Sequence, residues 1–473
     1  MGWDRPATGG RPPGRFAWAF AVLSAAGLVA ALGAVGLRAL DGEGPLALPA
    51  FAGAPADLRA RGVDPALGLM TRALRAHDER AYLAVVDGRD AALLARQRTL
   101  FRNLQALPLK DPLLRWDGRR SQPSEHPERY PAGAVTVVAD LTFLLDGWDD
   151  ENVDDVVVLT LAPVGRGWLV VGDTDDAGTS PARRYLEPWT VGVPLGVERR
   201  GHVLVVGQAA QRAELRRLAD RLEQVAGDVR ERWAEPSWNG RVVAYAVTDP
   251  RFVQAWFAGQ AATGPPDRAA GGQPTWEARV GSLSRSAPGD DAENGPPRLV
   301  VTPYVLGRVD ARVLSTLRHE VTHVATARLG RPVPGWLAEG AAEYTGFRLG
   351  GARVDAVRTF AAHGLTEELA LAMRGGSWQP RLLDDRDQFY SGTAEVVSAG
   401  YLDAWIACLY VADRYGDAAL RRLYDTAASQ PTAASWDAVD DSALREVLQT
   451  DHAGLLAAVR GYGLALYRRA TGA

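Results

Sequence analysis

The period of the apolar positions changes several times along the chain, and each change marks an element. Residues 16–37 are 22 positions without a charge, bracketed by Arg15 and Arg38. As a helix this run would rise about 33 Å, enough to cross a hydrocarbon core of ~30 Å. It exceeds the ~7–15 apolar residues of a secretory signal, and no clear small-x-small site ends it. We read it as an uncleaved transmembrane anchor. Arg5, Arg11 and Arg15 precede it, whereas Asp41 and Glu43 follow soon after Arg38. That asymmetry predicts a single-pass membrane protein with a cytoplasmic tail, 1–15, and residues 38–473 outside the cytoplasm. Residues 38–60 are rich in Gly, Pro and Ala and read as a linker.

Beyond residue 60 the pattern is first helical, then alternating. Leu67, Met70 and Leu74, then Tyr82, Leu83 and Val86, then Leu93, Leu94, Leu100, Phe101 and Leu104 recur at helical spacing. Residues 135–145, 156–161 and 168–171 are β-branched and apolar and predict strands. Helices followed by an antiparallel meander make an α+β unit over 61–192. Its element order, with the phrase Arg75-Ala76-His77-Asp78-Glu79-Arg80-Ala81-Tyr82-Leu83, resembles the cone-shaped nuclear-transport-factor-like accessory domains. Asp146, Asp149, Asp150, Glu151, Asp154 and Asp155 fall between two of its strands. Their spacing does not match a calcium loop, so a solvated hairpin tip is expected.

A second α+β unit is expected over 193–473. It opens with a strand at 202–206, a helix at 211–233 and a strand at 242–247. A polar insert follows at 259–297, rich in Gly, Pro, Ser and Asp, with one short strand near 278–283. A strand at 299–302 then leads into a helix at about 310–329, with Asp310 as its N-cap.

Composition narrows the class. Hydrophobic residues are 47% and charged residues 23%, which is globular and excludes a largely disordered chain. The net charge of −4 argues against nucleic-acid binding through bulk positive charge. The single cysteine, Cys408, excludes an intramolecular disulfide and a cysteine-based structural zinc site. It lies in an apolar helical stretch and should be a buried, inert thiol.

The chemistry is concentrated at 319–343. His319-Glu320-Val321-Thr322-His323 is an HExxH pattern on the expected helix. Two histidines at i and i+4 share a helix face, so their ring nitrogens can meet one zinc ion at ~2.0–2.1 Å. Glu320 then stands beside the metal, able to take a proton from water. Gly330 and Pro332 end that helix. A second helix is expected at about 335–348, carrying Trp336-Leu337-Ala338-Glu339-Gly340-Ala341-Ala342-Glu343-Tyr344. Glu339, 16 residues after His323, can be the third protein ligand. Glu343, one turn on, can accept the outer N–H of a ligating histidine, His319 first.

These two segments together resemble the gluzincin metallopeptidases, and most closely the bacterial membrane-linked peptidase MA-like families. The resemblance covers roughly 195–430, with its diagnostic part at 319–344. It implies a zincin-type α+β domain, Zn2+ held by His319, His323 and Glu339, Glu320 as general base, and a peptide or protein substrate. Related enzymes carry an oxyanion-stabilising tyrosine on a later helix, and Tyr401 resembles it. Tyr390 and His363 are further candidates for that role. The substrate strand is expected to add to a sheet edge near 299–302 or 278–283.

Two other readings compete. The chain is alternatively a slow or inert membrane-tethered binding protein, with the 61–192 unit as its ligand pocket. The intact ligand set and Glu320 weigh against that. A deformylase-type amidase would need a cysteine ligand, and Cys408 lies far downstream. His77, His126, His202 and His452 have no partner at ligand spacing and attract no role.

Overall fold

The computed structural model describes most of residues 62–472. Outside the described residues lie 1–61, 174–186, 234–237, 253–277, 283–295, 328–332, 348–359, 361–364, 390–393, 432–434 and isolated positions. The expected tail, anchor and linker, the Asp310 cap, Tyr390, His363 and most of the insert therefore fall outside it.

The fold is mixed α+β. Three helices open it: α1 (Asp64–Arg75), α2 (Glu79–Leu83) and α3 (Ala91–Ala106). Asp78 and Asp90 cap the last two by accepting backbone N–H groups of the first turn. The first sheet follows, with β1 (Leu109–Arg115), β2 (Ser121–Pro123), β3 (Val135–Leu145), β4 (Val153–Val164) and β5 (Gly167–Gly172). It is antiparallel throughout, in the order β1-β3-β4-β5 with β2 also on β3. Val137, Ala139, Leu141, Phe143 and Leu145 of β3 all point to one buried face.

The second sheet has β6 (Leu195–Arg200), β7 (Val203–Gln208), β8 (Val242–Ala246), β9 (Ala278–Ser282) and β10 (Pro297–Val301). Its order is β6-β7-β8-β10-β9. β7, β8 and β10 run parallel, and β6 and β9 are antiparallel to their neighbours. The parallel pair β7–β8 needs a crossover, supplied by α4 (Arg212–Trp233). Leu215, Leu218, Leu222, Val225 and Val229 are the fully buried stripe of that helix. β10 sits inside the sheet, between β8 and β9. Of the two edges expected to receive a substrate strand, only β9 lies at the margin.

This sheet is buried on both faces, which is why its strands read as unbroken apolar runs. Val203, Val205, Val242, Ala244, Ala246, Leu299 and Val301 join the core of the helical half. Leu204, Val206, Val243, Tyr245, Val247 and Val300 join the core of the first unit. The two units thus share the sheet as a common wall. Trp189 bridges them, edge-on to Phe143 at 5.3 Å and to Tyr245 at 6.1 Å between ring centroids. Asn103 clips the junction: its amide donates to the Trp189 and Val193 carbonyls, and its oxygen accepts from Leu195 N–H.

The acidic hairpin meets the expectation in part: Asp146, Asp150, Glu151 and Asp154 are exposed, but two of its carboxylates are not. Asp149 and Asp155 are buried. Asp155 accepts the Trp189 indole N–H at 2.8 Å. Asp149 receives both terminal nitrogens of Arg298, at 2.8 and 2.6 Å, with each side chain only 1% exposed. Arg298 Nε donates to the Tyr245 hydroxyl oxygen at 3.2 Å. The carboxylates serve as an internal fastener to a strand about 150 residues away, a partner that local spacing cannot reveal.

The helical half continues with α5 (Pro303–Leu306), α6 (Ala311–Thr326), α7 (Gly335–Phe347), α8 (Glu367–Gly375), α9 (Arg386–Phe389) and α10 (Ala394–Tyr415). It ends with α11 (Asp417–Ala428), α12 (Trp436–Leu448) and α13 (His452–Thr471). Among the described residues α10 alone is long and apolar enough to cross a membrane, and most of it is buried as the central helix of this core.

Removing one partner of the Asp149–Arg298 pair strands a buried charge. Arg298→Met should lose about 3–5 kcal/mol of unfolding free energy. Combining it with Asp149→Leu should recover most of that loss in urea titrations, because both charges are then gone.

Candidate metal centre

Helix α6 carries the histidines and has two faces. Val313, Leu317, Val321 and Val324 pack inward at helical spacing. His319 and His323, four residues apart, share another face, and Glu320 is buried between the two faces. Two cross-links hold the helix: Arg318 Nε donates to Asp228 Oδ2 of α4 at 2.7 Å, and Ser315 Oγ donates to the Gly346 carbonyl of α7 at 3.0 Å.

Helix α7 is buried from Gly335 to Gly346 except at Glu343, with Glu339 inside the protein. Its start is fixed from several sides. Gly335 and Trp336 N–H donate to the carbonyls of Asp384 and Leu383 at 2.8 and 2.9 Å. The Trp336 indole N–H donates to Asp440 Oδ1 at 3.0 Å. Gly340 and Gly346 let it nest between α6 and α10. A Cβ at Gly340 would run into the Ala404 carbonyl and Cys408 Sγ, and one at Gly346 would stand 2.9 Å from the Ser315 carbonyl. Close approach on both sides is what carries Glu339 to the histidines.

The donor atoms form a nearly regular triangle. His319 Nε2 and His323 Nε2 are 3.0 Å apart, and Glu339 Oε2 is 3.3 and 3.4 Å from them. Tetrahedral ligands at ~2.0–2.1 Å from one ion stand about 3.3 Å from each other. The three donors therefore match three corners of such a site and leave the fourth for water. On the outer side of His319, Nδ1 is 3.0 Å from Glu343 Oε1. That contact sets a carboxylate behind the ring, on the side away from Nε2.

Electrostatics points the same way. Burial disfavours a charged His319, but Glu343, Glu339 and Glu320 outweigh it and hold its pKa well above the ordinary value. Burial likewise favours a neutral Glu339, yet His323 and His319 keep its pKa well below the usual carboxylate range. Three carboxylates thus surround two imidazoles in a mostly dry interior, a surplus of negative charge that a cation neutralises.

Tyr401 of α10 is buried with its ring 6.2 Å from that of His319, and it packs edge-on against Phe389 at 5.1 Å. Of the residues singled out from the sequence, His319, Glu320, His323, Glu339, Glu343 and Tyr401 are thereby brought into one neighbourhood, while Tyr390 and His363 lie outside the described residues. Cys408 stands apart from the donor set. It is a core thiol whose pKa burial pushes far up, which suits neither ligation nor nucleophilic chemistry.

Sequence reasoning missed the supports. Trp336 and Asp440 are 104 residues apart, and Gly340 and Gly346 matter only through the helices they touch. It also passed over His452, which the fold brings to Asp440 and Asp384. No protein-family model matches the chain, and no curated protein does.

Glu343→Gln keeps the shape but weakens the acceptor at His319 Nδ1. Metal affinity at this centre should fall about 10–100-fold, read by competition with a zinc-binding dye. An unchanged affinity would mean that Glu343 does not support the centre.

Proposed function

We propose that the chain is a zinc metallopeptidase of gluzincin type, tethered to the membrane by residues 16–37 with its folded part outside the cytoplasm. The observation that carries this reading is the Nε2–Nε2–Oε2 triangle of His319, His323 and Glu339, with Glu320 next to the first ligand and Glu343 behind it. The nuclear-transport-factor-like reading of the first unit and the zincin reading of the second are consistent with the antiparallel sheet and with the helix pair α6–α7.

His319, His323 and Glu339 would hold the ion. A zinc ion held there would supply Lewis acidity and would lower the pKa of a bound water toward ~7. Glu320 accepts the proton of the attacking water and passes it to the leaving amine. Glu343 stabilises the His319 imidazole in the tautomer that ligation requires. Tyr401 donates its hydroxyl proton in a hydrogen bond to the developing oxyanion. A substrate in extended conformation pairs with the marginal strand β9, in antiparallel fashion by analogy with β-strand addition.

The alternative of a binding module with the first unit as its pocket has less support. The apolar face of β3 is already covered by Trp189 and shares one core with Tyr245 and the second sheet.

Hydrolysis of an unstructured protein substrate tests the proposal. Glu320→Gln should lose about 10²–10⁴-fold in kcat while retaining its zinc. Full activity in that variant, or activity that survives complete removal of metal by a chelator, would refute it. Tyr401→Phe should lower kcat by about 10²–10³-fold with KM nearly unchanged, the signature of a contact made in the transition state. A change confined to KM would remove Tyr401 from that role.

A further inference from the structure

Among the described residues one other set of metal-ligating side chains converges, and the proposed hydrolytic chemistry does not use it: Asp384, Asp440 and His452. They come from three separate segments. Asp384 closes the stretch before α9, Asp440 lies in α12, and His452 opens α13. His452 Nδ1 is 2.6 Å from Asp440 Oδ2 and 3.9 Å from Asp384 Oδ1. Asp440 is 1% exposed, and Asp384 Oδ1 is buried without a hydrogen-bond donor.

The charge balance is poor for a purely structural cluster. Asp437 and Asp441 of α12 also face it, and Arg445 is engaged by Asp441 at 2.7 Å. Among the described residues no arginine pairs with Asp384 or Asp440, so one imidazole faces one buried and one half-buried carboxyl. Burial, with Asp440 beside it, pushes the Asp384 pKa up to about 7. Two carboxylate oxygens and one imidazole nitrogen suit a borderline transition ion. Calcium and magnesium prefer larger all-oxygen sets.

We propose that Asp384, Asp440 and His452 form a second divalent-metal site, for Zn2+ or Mn2+, that braces the start of helix α7. The link to that helix is direct. Asp440 Oδ1 accepts the Trp336 indole N–H, and the Asp384 carbonyl accepts Gly335 N–H. Trp336 lies one turn before Glu339, so the site acts on the catalytic ligand only by positioning its helix. The site stands on its own donors and does not depend on the peptidase reading.

The test is metal content of the detergent-solubilised full chain, stripped of metal and then dialysed against Zn2+ or Mn2+ at pH 8. Wild type should hold two equivalents. His319→Ala/His323→Ala should keep one, and near-isosteric Asp384→Asn should also keep one. The melting temperature of His319→Ala/His323→Ala should rise with either metal at pH 8. If that variant binds no metal and its melting temperature does not respond, the second site does not exist. The same holds if Asp384→Asn binds as much as wild type. If instead the first centre is misread, His319→Ala/His323→Ala would match wild type while Asp384→Asn still lost one equivalent.

Discussion

Two imidazole nitrogens 3.0 Å apart, with a carboxylate oxygen 3.3–3.4 Å from both, are an arrangement that a protein interior does not hold without reason. Either a proton or a metal ion must lie among these atoms, since bare lone pairs at that distance repel. The surrounding helices are organised to keep the triangle closed. Helix α6 supplies both nitrogens from one face. Helix α7 must come close enough to supply the oxygen, and it can do so only because Gly340 and Gly346 present no side chain to α10 and α6. Its start is held by Trp336 on Asp440, and its far end by Trp233 Nε1 donating to Thr345 Oγ1 at 3.0 Å. Small shifts in any of these supports would open a gap that a ligand distance does not tolerate.

The shared sheet gives this arrangement its rigidity. One face carries α4 and α6 and, through them, the centre. The opposite face is packed by the first unit, with the bidentate Asp149–Arg298 pair at the seam. The first unit is then a structural back wall for the second, and the strand β10 that bears Arg298 leads through α5 into α6. A fully buried ion pair is a poor source of net stability, but it is intolerant of misalignment. Its place beside the strand that leads to the histidines is consistent with fixing register there.

Much of this was legible in the chain. The strand at Val135–Leu145 and the helices bearing the motif follow from the period of their apolar positions, because that signal is local. The convergence of His319, Glu320, His323, Glu339 and Glu343 was legible for the same reason, since HExxH and the glutamates one turn apart are helix-face patterns, whereas Tyr401 came from the family resemblance alone. What stayed hidden depends on distant partners. β6 was missed because Leu195–Arg200 carries a mixed, charged pattern and pairs on one side only. The acidic hairpin looked solvated because Arg298 lies about 150 residues away. His452 looked isolated because Asp384 approaches it from 68 residues upstream, and Asp440 sits one helix before it.

The central claim is that His319, His323 and Glu339 are three ligands of one ion. The most direct measurement is anomalous diffraction at the zinc edge from crystals of the zinc-loaded protein. The account predicts a peak among His319 Nε2, His323 Nε2 and Glu339, about 2.0–2.1 Å from each donor. A folded, zinc-saturated protein with no peak there, and with His319 and His323 hydrogen-bonded directly to each other and to Glu339, would contradict it.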